Sequence, residues 1–145
     1  MDSANLDNTR AVALVPDRKI ALVTSYNLHK LSAYSYVDAN NPELLSSVAD
    51  STLMLNAHGV SYDNTRDMAV VTAQNGNSLT TIDVSDTSSM TILGSVSSST
   101  YLDEANNNCL DEANAIAYTQ GADTDSFAVV SYSDPANPTI LGGIS

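Results

Sequence analysis

Asp103, Glu104, Asp111 and Glu112 place four carboxylates within ten residues, the densest cluster of chemistry-bearing side chains in the chain. They sit in YLDEANNNCLDEAN, where LDEAN occurs twice, eight residues apart. Carboxylates with asparagine carbonyls between them are hard oxygen donors suited to calcium. The spacing is not that of an EF-hand loop and lacks its glycine, so a solvated acidic loop competes with the metal reading. Cys109 lies among them and is the only cysteine, which excludes an intrachain disulfide. As a nucleophile it would need a base within hydrogen-bond reach, and neither His29 nor His58 is close in sequence. Gly-x-Ser-x-Gly, Cys-x-x-Cys, His-Glu-x-x-His and phosphate-loop patterns are all missing. No catalytic constellation is legible.

Net charge narrows the partners. Seventeen acidic residues against five basic ones give −12 over 145 residues, a surface that repels phosphate backbones and anionic lipid head groups. Nucleic acid is therefore not expected as a partner, nor is membrane insertion. The acidity fits attraction of cations or basic proteins on one reading and solubility on the other. A hydrophobic fraction of 43% with 15% charged residues is that of a folded domain with a core. Met1 to Asn8 is polar and lacks the basic start and apolar run of a signal peptide, and no stretch is long and apolar enough for a membrane span.

The elements that must position these residues are short. From Ala57 to Val96, four runs rich in Val, Ile, Leu, Thr and Tyr, namely Gly59 to Tyr62, Met68 to Ala73, Leu79 to Ser85 and Thr91 to Val96, are separated by Asn-, Asp- and Gly-rich turns. This predicts a four-stranded antiparallel meander. Shifted back by 48 residues, the stretch lies on Thr9 to Val48 without a gap, with 11 of 40 pairs identical, among them Arg18/Arg66, Thr24/Thr72, Leu31/Leu79 and Asp38/Asp86. A third copy reads from Ala113 to the C-terminus, with Ala113 to Tyr118 set against Ala57 to Tyr62 and Phe127 to Ser131 against Met68 to Thr72. In that frame most of the third strand is missing, and residues 97–112 are an insert.

Four-stranded units recurring every 40–50 residues or so are the sequence sign of propeller blades. The expected fold is all-β, one β-propeller-type domain of about three four-stranded antiparallel blades near 9–48, 57–96 and 113–145, the third shortened. Leu79 to Asp86 (LTTIDVSD) preceded by MAVVTAQNG, together with Ser133-Asp134-Pro135-Ala136-Asn137-Pro138 and Asp38-Ala39-Asn40-Asn41-Pro42, resembles the LVIVD-repeat family of β-propellers, and more distantly YVTN-like propellers. The Asp-Pro-x-x-Pro turn has a physical basis: Asp accepts from the backbone just ahead, and proline presets φ at the reversal. The resemblance implies a secreted, periplasmic or surface-attached propeller and brings no catalytic residues with it.

Aligning the copies places Arg10, His58 and Asn114 at one position near the start of the innermost strand, where side chains approach the mouth of a central channel. Converging polar groups there suit a ligand site; capping strand ends or holding channel water is the competing reading. Tyr34 and Tyr36 share a strand face, fit for packing between blades or for stacking on a sugar ring. His29, in a hairpin loop, reads as a solvated turn residue. Three blades fall short of the four to eight that close a ring, so self-association into a six-bladed homodimer, or further blades outside this chain, is expected. Two functions compete: a non-catalytic binding or scaffolding propeller, and a metal-dependent hydrolase or lactonase-like propeller.

Overall fold

The computed structural model describes residues 3–145; Met1 and Asp2, the start of the polar segment that precedes the first copy, lie outside the described residues. Twelve strands form three four-stranded sheets. Blade I holds β1 (Thr9–Val15), β2 (Ile20–Ser25), β3 (Lys30–Ser35) and β4 (Glu43–Ala49). Blade II holds β5 (Ala57–Asp63), β6 (Met68–Ala73), β7 (Ser78–Asp83) and β8 (Thr91–Ser97). Blade III holds β9 (Ala105–Asp111), β10 (Ile116–Gly121), β11 (Ser126–Ser131) and β12 (Thr139–Ile144). Within each sheet the strands pair antiparallel in chain order. The first strands, β1, β5 and β9, lie side by side, as the inner strands of adjacent propeller blades do.

Three four-stranded blades are as the sequence predicts, but the third is framed differently. The 48-residue shift continues without a gap: the blades begin at Thr9, Ala57 and Ala105, and blade III is complete rather than shortened. Residues 97–112 are no insert, because they contain β9, and the real connection before it is as long as that before β5. Ala113 to Ala115 is the turn between β9 and β10, and Phe127 to Ser131 belongs to the third strand. The misreading has a physical source. The inner strand ANNNCLD carries three asparagines and no β-branched residue, so it lacks the strand signature. It is held in place by its neighbours instead.

The backbone states the repeat more plainly than the side chains. Among the described residues nine non-glycine residues have positive φ, at Asn8, Asn56 and Glu104, at Lys19, Asp67 and Ala115, and at His29, Asn77 and Asp125: three sites per blade, each recurring at 48 residues. Six of them sit in the turns that aim one strand back along the last, and Asn8, Asn56 and Glu104 immediately precede the first strand of each blade; it is a conformation Asn and Asp tolerate best. Asp38, Asp86 and Asp134 each accept the backbone N–H two residues on, at 2.9, 2.9 and 3.1 Å, closing the same turn before the outer strand of every blade.

Burial distinguishes the middle blade from the other two. Every residue of β6 is buried, whereas β2 and β10 alternate buried with half-buried or exposed. A strand that alternates has one covered face and one that is open, and a strand buried throughout is covered on both. The core is accordingly two joints. One packs Leu22, Leu31 and Ala33 of blade I against Val60, Ile82 and Val84 of blade II; the other packs Val70 and Leu79 of blade II against Ala117, Val130 and Tyr132 of blade III.

Candidate functional site

Each inner strand opens with a β-bulge, at Arg10–Ala11, His58–Gly59 and Asn106–Asn107, where the register with the second strand slips. A bulge re-aims the side chains around it. The hydroxyl of Thr24 in β2 accepts the Ala11 N–H at 3.0 Å and donates to the His58 carbonyl of the next blade at 2.7 Å. Thr72 in β6 repeats the arrangement, accepting the Gly59 N–H at 3.0 Å and donating to the Asn106 carbonyl. The position equivalent to Arg10 and His58 is therefore Asn106, not Asn114. Asn114 lies in the β9–β10 turn, where its amide donates to Asp111 at 2.7 Å.

Arg10, His58 and Asn106 form a connected group. The Arg10 guanidinium stands over the Tyr26 ring, 4.6 Å from its centroid, and the same ring meets His58 edge-on at 6.4 Å. His58 Nδ1 and Asn106 Oδ1 are buried without a hydrogen-bond partner. Burial, and then the charge of Arg10, hold the His58 imidazole below its ordinary pKa against the opposing pull of the Asn106 backbone, so the neutral form prevails at pH 7. An exposed cation on an aromatic face, a neutral imidazole and an amide oxygen thus converge where the inner strands begin. Sequence reasoning found two of these residues and missed Tyr26 and Asn106; extending the 48-residue shift by one period finds the latter.

The four carboxylates are not brought together. Asp103 and Glu104 precede β9, whereas Asp111 ends it and Glu112 follows, so the two pairs are separated by the length of a seven-residue strand, about 20 Å. Glu104 accepts from Gln74 at 2.9 Å and Glu112 from the Asn64 N–H at 3.1 Å, so each ties blade III to blade II. Among the described residues no three His, Cys, Asp or Glu side chains are grouped to hold a metal ion. Cys109 is exposed. His29 is more than a solvated turn residue, because its Nδ1 accepts the Asn56 N–H at 2.9 Å, and in the next blade Asn77 Oδ1 accepts the Glu104 N–H at 3.2 Å in the same way.

The chain is a propeller-type array of blades. It carries an LVIVD repeat, matched at residues 70–98, from within β6 through β8. No curated protein matches it in sequence. Among solved structures it is similar to a functionally unknown protein from Desulfotomaculum acetoxidans, with TM-score 0.79, 9% identity and coverage of 94% of this chain and 42% of that one. It is also similar to a periplasmic gluconolactonase from Pseudomonas aeruginosa, with TM-score 0.79, 12% identity and coverage of 94% and 39%. A putative 6-phosphogluconolactonase from Bacteroides fragilis gives the same TM-score, identity and coverage, 0.79, 12%, 94% and 39%. At these identities the likeness is one of fold. The chain spans about 40% of the length of these structures.

Proposed function

We propose that this chain is a non-catalytic binding unit of a secreted or periplasmic β-propeller, and that its ligand is a small, hydroxyl-rich anion held at the inner-strand mouth. The observation that carries the reading is the pair of unpartnered buried atoms, His58 Nδ1 and Asn106 Oδ1, beside the exposed Arg10 guanidinium. Buried polar atoms need partners, and a ligand hydroxyl supplies either a donor or an acceptor. Arg10 supplies the attraction an anion needs on a chain of net charge −12, and the Tyr26 ring offers an apolar face. The LVIVD resemblance and the periplasmic neighbour support the location.

Gluconate is the probe. Titrated into 15N-labelled protein, it shifts the His58 imidazole and the Asn106 side-chain amide resonances, and Arg10→Ala abolishes the response. Unmoved His58 and Asn106 signals at millimolar gluconate would overturn the reading. The second reading, a lactonase-like propeller, draws on the names of two neighbours and would need carboxylates beside His58. Among the described residues no three His, Cys, Asp or Glu side chains are grouped there. Supplying gluconolactone to the same sample separates the two readings, because hydrolysis above the buffer rate that is lost in His58→Gln would favour the enzyme.

A further inference from the structure

We propose that two copies of this chain close head to tail into a six-bladed ring, with the turn Asp38–Pro42 of one copy seated on Gly142 of the other. A turn of this kind is already seated at both joints inside the molecule. At the joint between blades II and III, the turn that begins at Asp134 lies on the outer half of blade II: Thr81 donates to the Pro135 carbonyl at 2.6 Å, and a Cβ on Gly94 would collide with the Ala136 carbonyl. At the joint between blades I and II, Ser46 donates to the Thr87 carbonyl of the matching turn at 2.8 Å. On blade III the equivalent residue is again a glycine, Gly142, and nothing lies within 4 Å of where its Cβ would be. It floors an open apolar depression of about 380 Å³ lined by Phe127, Val129, Leu141 and Ile144. Phe127 is 44% exposed, although its counterparts Leu31 and Leu79 are fully buried inside the two joints.

The complementary face is on blade I. Val12 and Leu14 are 61% and 55% exposed, whereas their counterparts Val60 and Tyr62 pack in the joint between blades I and II. Its turn Asp38–Pro42 has the same Asx closure as the two turns that are seated. The open faces are thus the two halves of one joint.

Charge selects a second copy over any further blade of the regular kind. Inside the chain, an arginine in the first turn of blades I and II reaches forward. Arg18 donates to the Val84 and Ser85 carbonyls at 2.8 and 2.9 Å and pairs with Asp67 at 2.9 Å; Arg66 donates to the Glu112 carbonyl at 2.7 Å and pairs with the buried Asp63 at 2.9 Å. Blade III has Asn114 in the arginine's place, with Asp111 bonded to it at 2.7 Å. Blade I has Lys19 where blade II has Asp67, at the same positive φ. A forward arginine would meet a like charge at Lys19, but the Asn114–Asp111 pair would meet an opposite one. Both departures from the repeat fall on the two open faces, and each suits the other. Asp125 keeps a carboxylate on blade III where His29 and Asn77 accept a backbone N–H from the following blade. Closure also places two copies of Arg10, His58 and Asn106 around one axis.

Sedimentation equilibrium and light scattering on the intact chain test the ring. The expected mass is twice 15.2 kDa; a single-chain mass at every concentration up to 0.1 mM, or an open ladder of larger species, overturns the proposal. Gly142→Leu fills the seat at a site with no neighbours and gives a folded monomer. Lys19→Asp weakens the dimer about tenfold, since one exposed pair is lost at each of two joints. Adding Asn114→Arg rebuilds the internal Arg–Asp arrangement and restores association. If Gly142→Leu remains dimeric, or the double variant associates no better than Lys19→Asp alone, the joint is not this one.

Discussion

At the scale of single residues, the chain spends its few cations on fixed tasks. Arg18 and Arg66 join blades, and Arg66 also stands 5.7 Å from the centroid of the Tyr132 ring. Burial acts to raise the Asp63 pKa, yet hydrogen bonds from Thr65 and Arg66 leave its carboxyl below the ordinary range. His58 is the group whose titration reports on the mouth. Its pKa is lowered in the folded chain from 6.5, so the unfolded chain takes up the proton first and stability falls as pH drops below that value. Thermal melts of wild type and His58→Gln should run parallel above pH 7 and converge or cross below pH 6, wild type losing more. Parallel curves down to pH 5 would show that burial at the mouth has no effect on the imidazole.

At the scale of strands and turns, the joints depend on backbones coming close. A Cβ on Gly59 would collide with the Asn106 carbonyl and meet Thr72 Oγ1 at 2.6 Å. Both are parts of the threonine bridge between blades II and III, and neither is a flexible chain end. Gly59→Ala should cost about 3 kcal/mol, the upper end for overpacking, measured by urea unfolding. The same bridges explain what was legible beforehand. Hydrophobic alternation and the identities between the first two copies located β1 to β8, because most of those strands carry the Val, Ile and Thr that fit a pleated surface. β9 was not legible. Asn106, Asn107 and Asn108 form a strand because Thr72, Ser61 and Thr119 hydrogen-bond their carbonyls, and such partners lie at distances in sequence that local pattern does not report. That one misframed strand moved the third mouth residue to Asn114 and turned Asp111 and Glu112 into part of an acidic insert, when they border the β9–β10 turn inside blade III.

For the whole molecule, the contrast between a middle blade covered on both faces and two flanking blades covered on one orders the stability of its parts. Native-state hydrogen exchange should be slowest in β6 and β7, where all but one residue is buried, and faster in β3 and β11, whose ladders are equally regular but flank a single joint. Equal protection across the three blades would mean that the open faces are covered in solution, as they are in a closed ring, so the measurement belongs on the monomeric Gly142→Leu chain. Blade II then supplies an internal standard against which both flanks are read.

Each of the three ladders is built from one contiguous stretch, and no blade among the described residues borrows a strand from elsewhere in the chain. Adding or removing one period therefore leaves every remaining ladder intact. Blade number in such a chain is free to change by duplication within a gene, with the two open faces, marked by Lys19 on blade I and Asn114 on blade III, as the places where a new neighbour has to be accommodated.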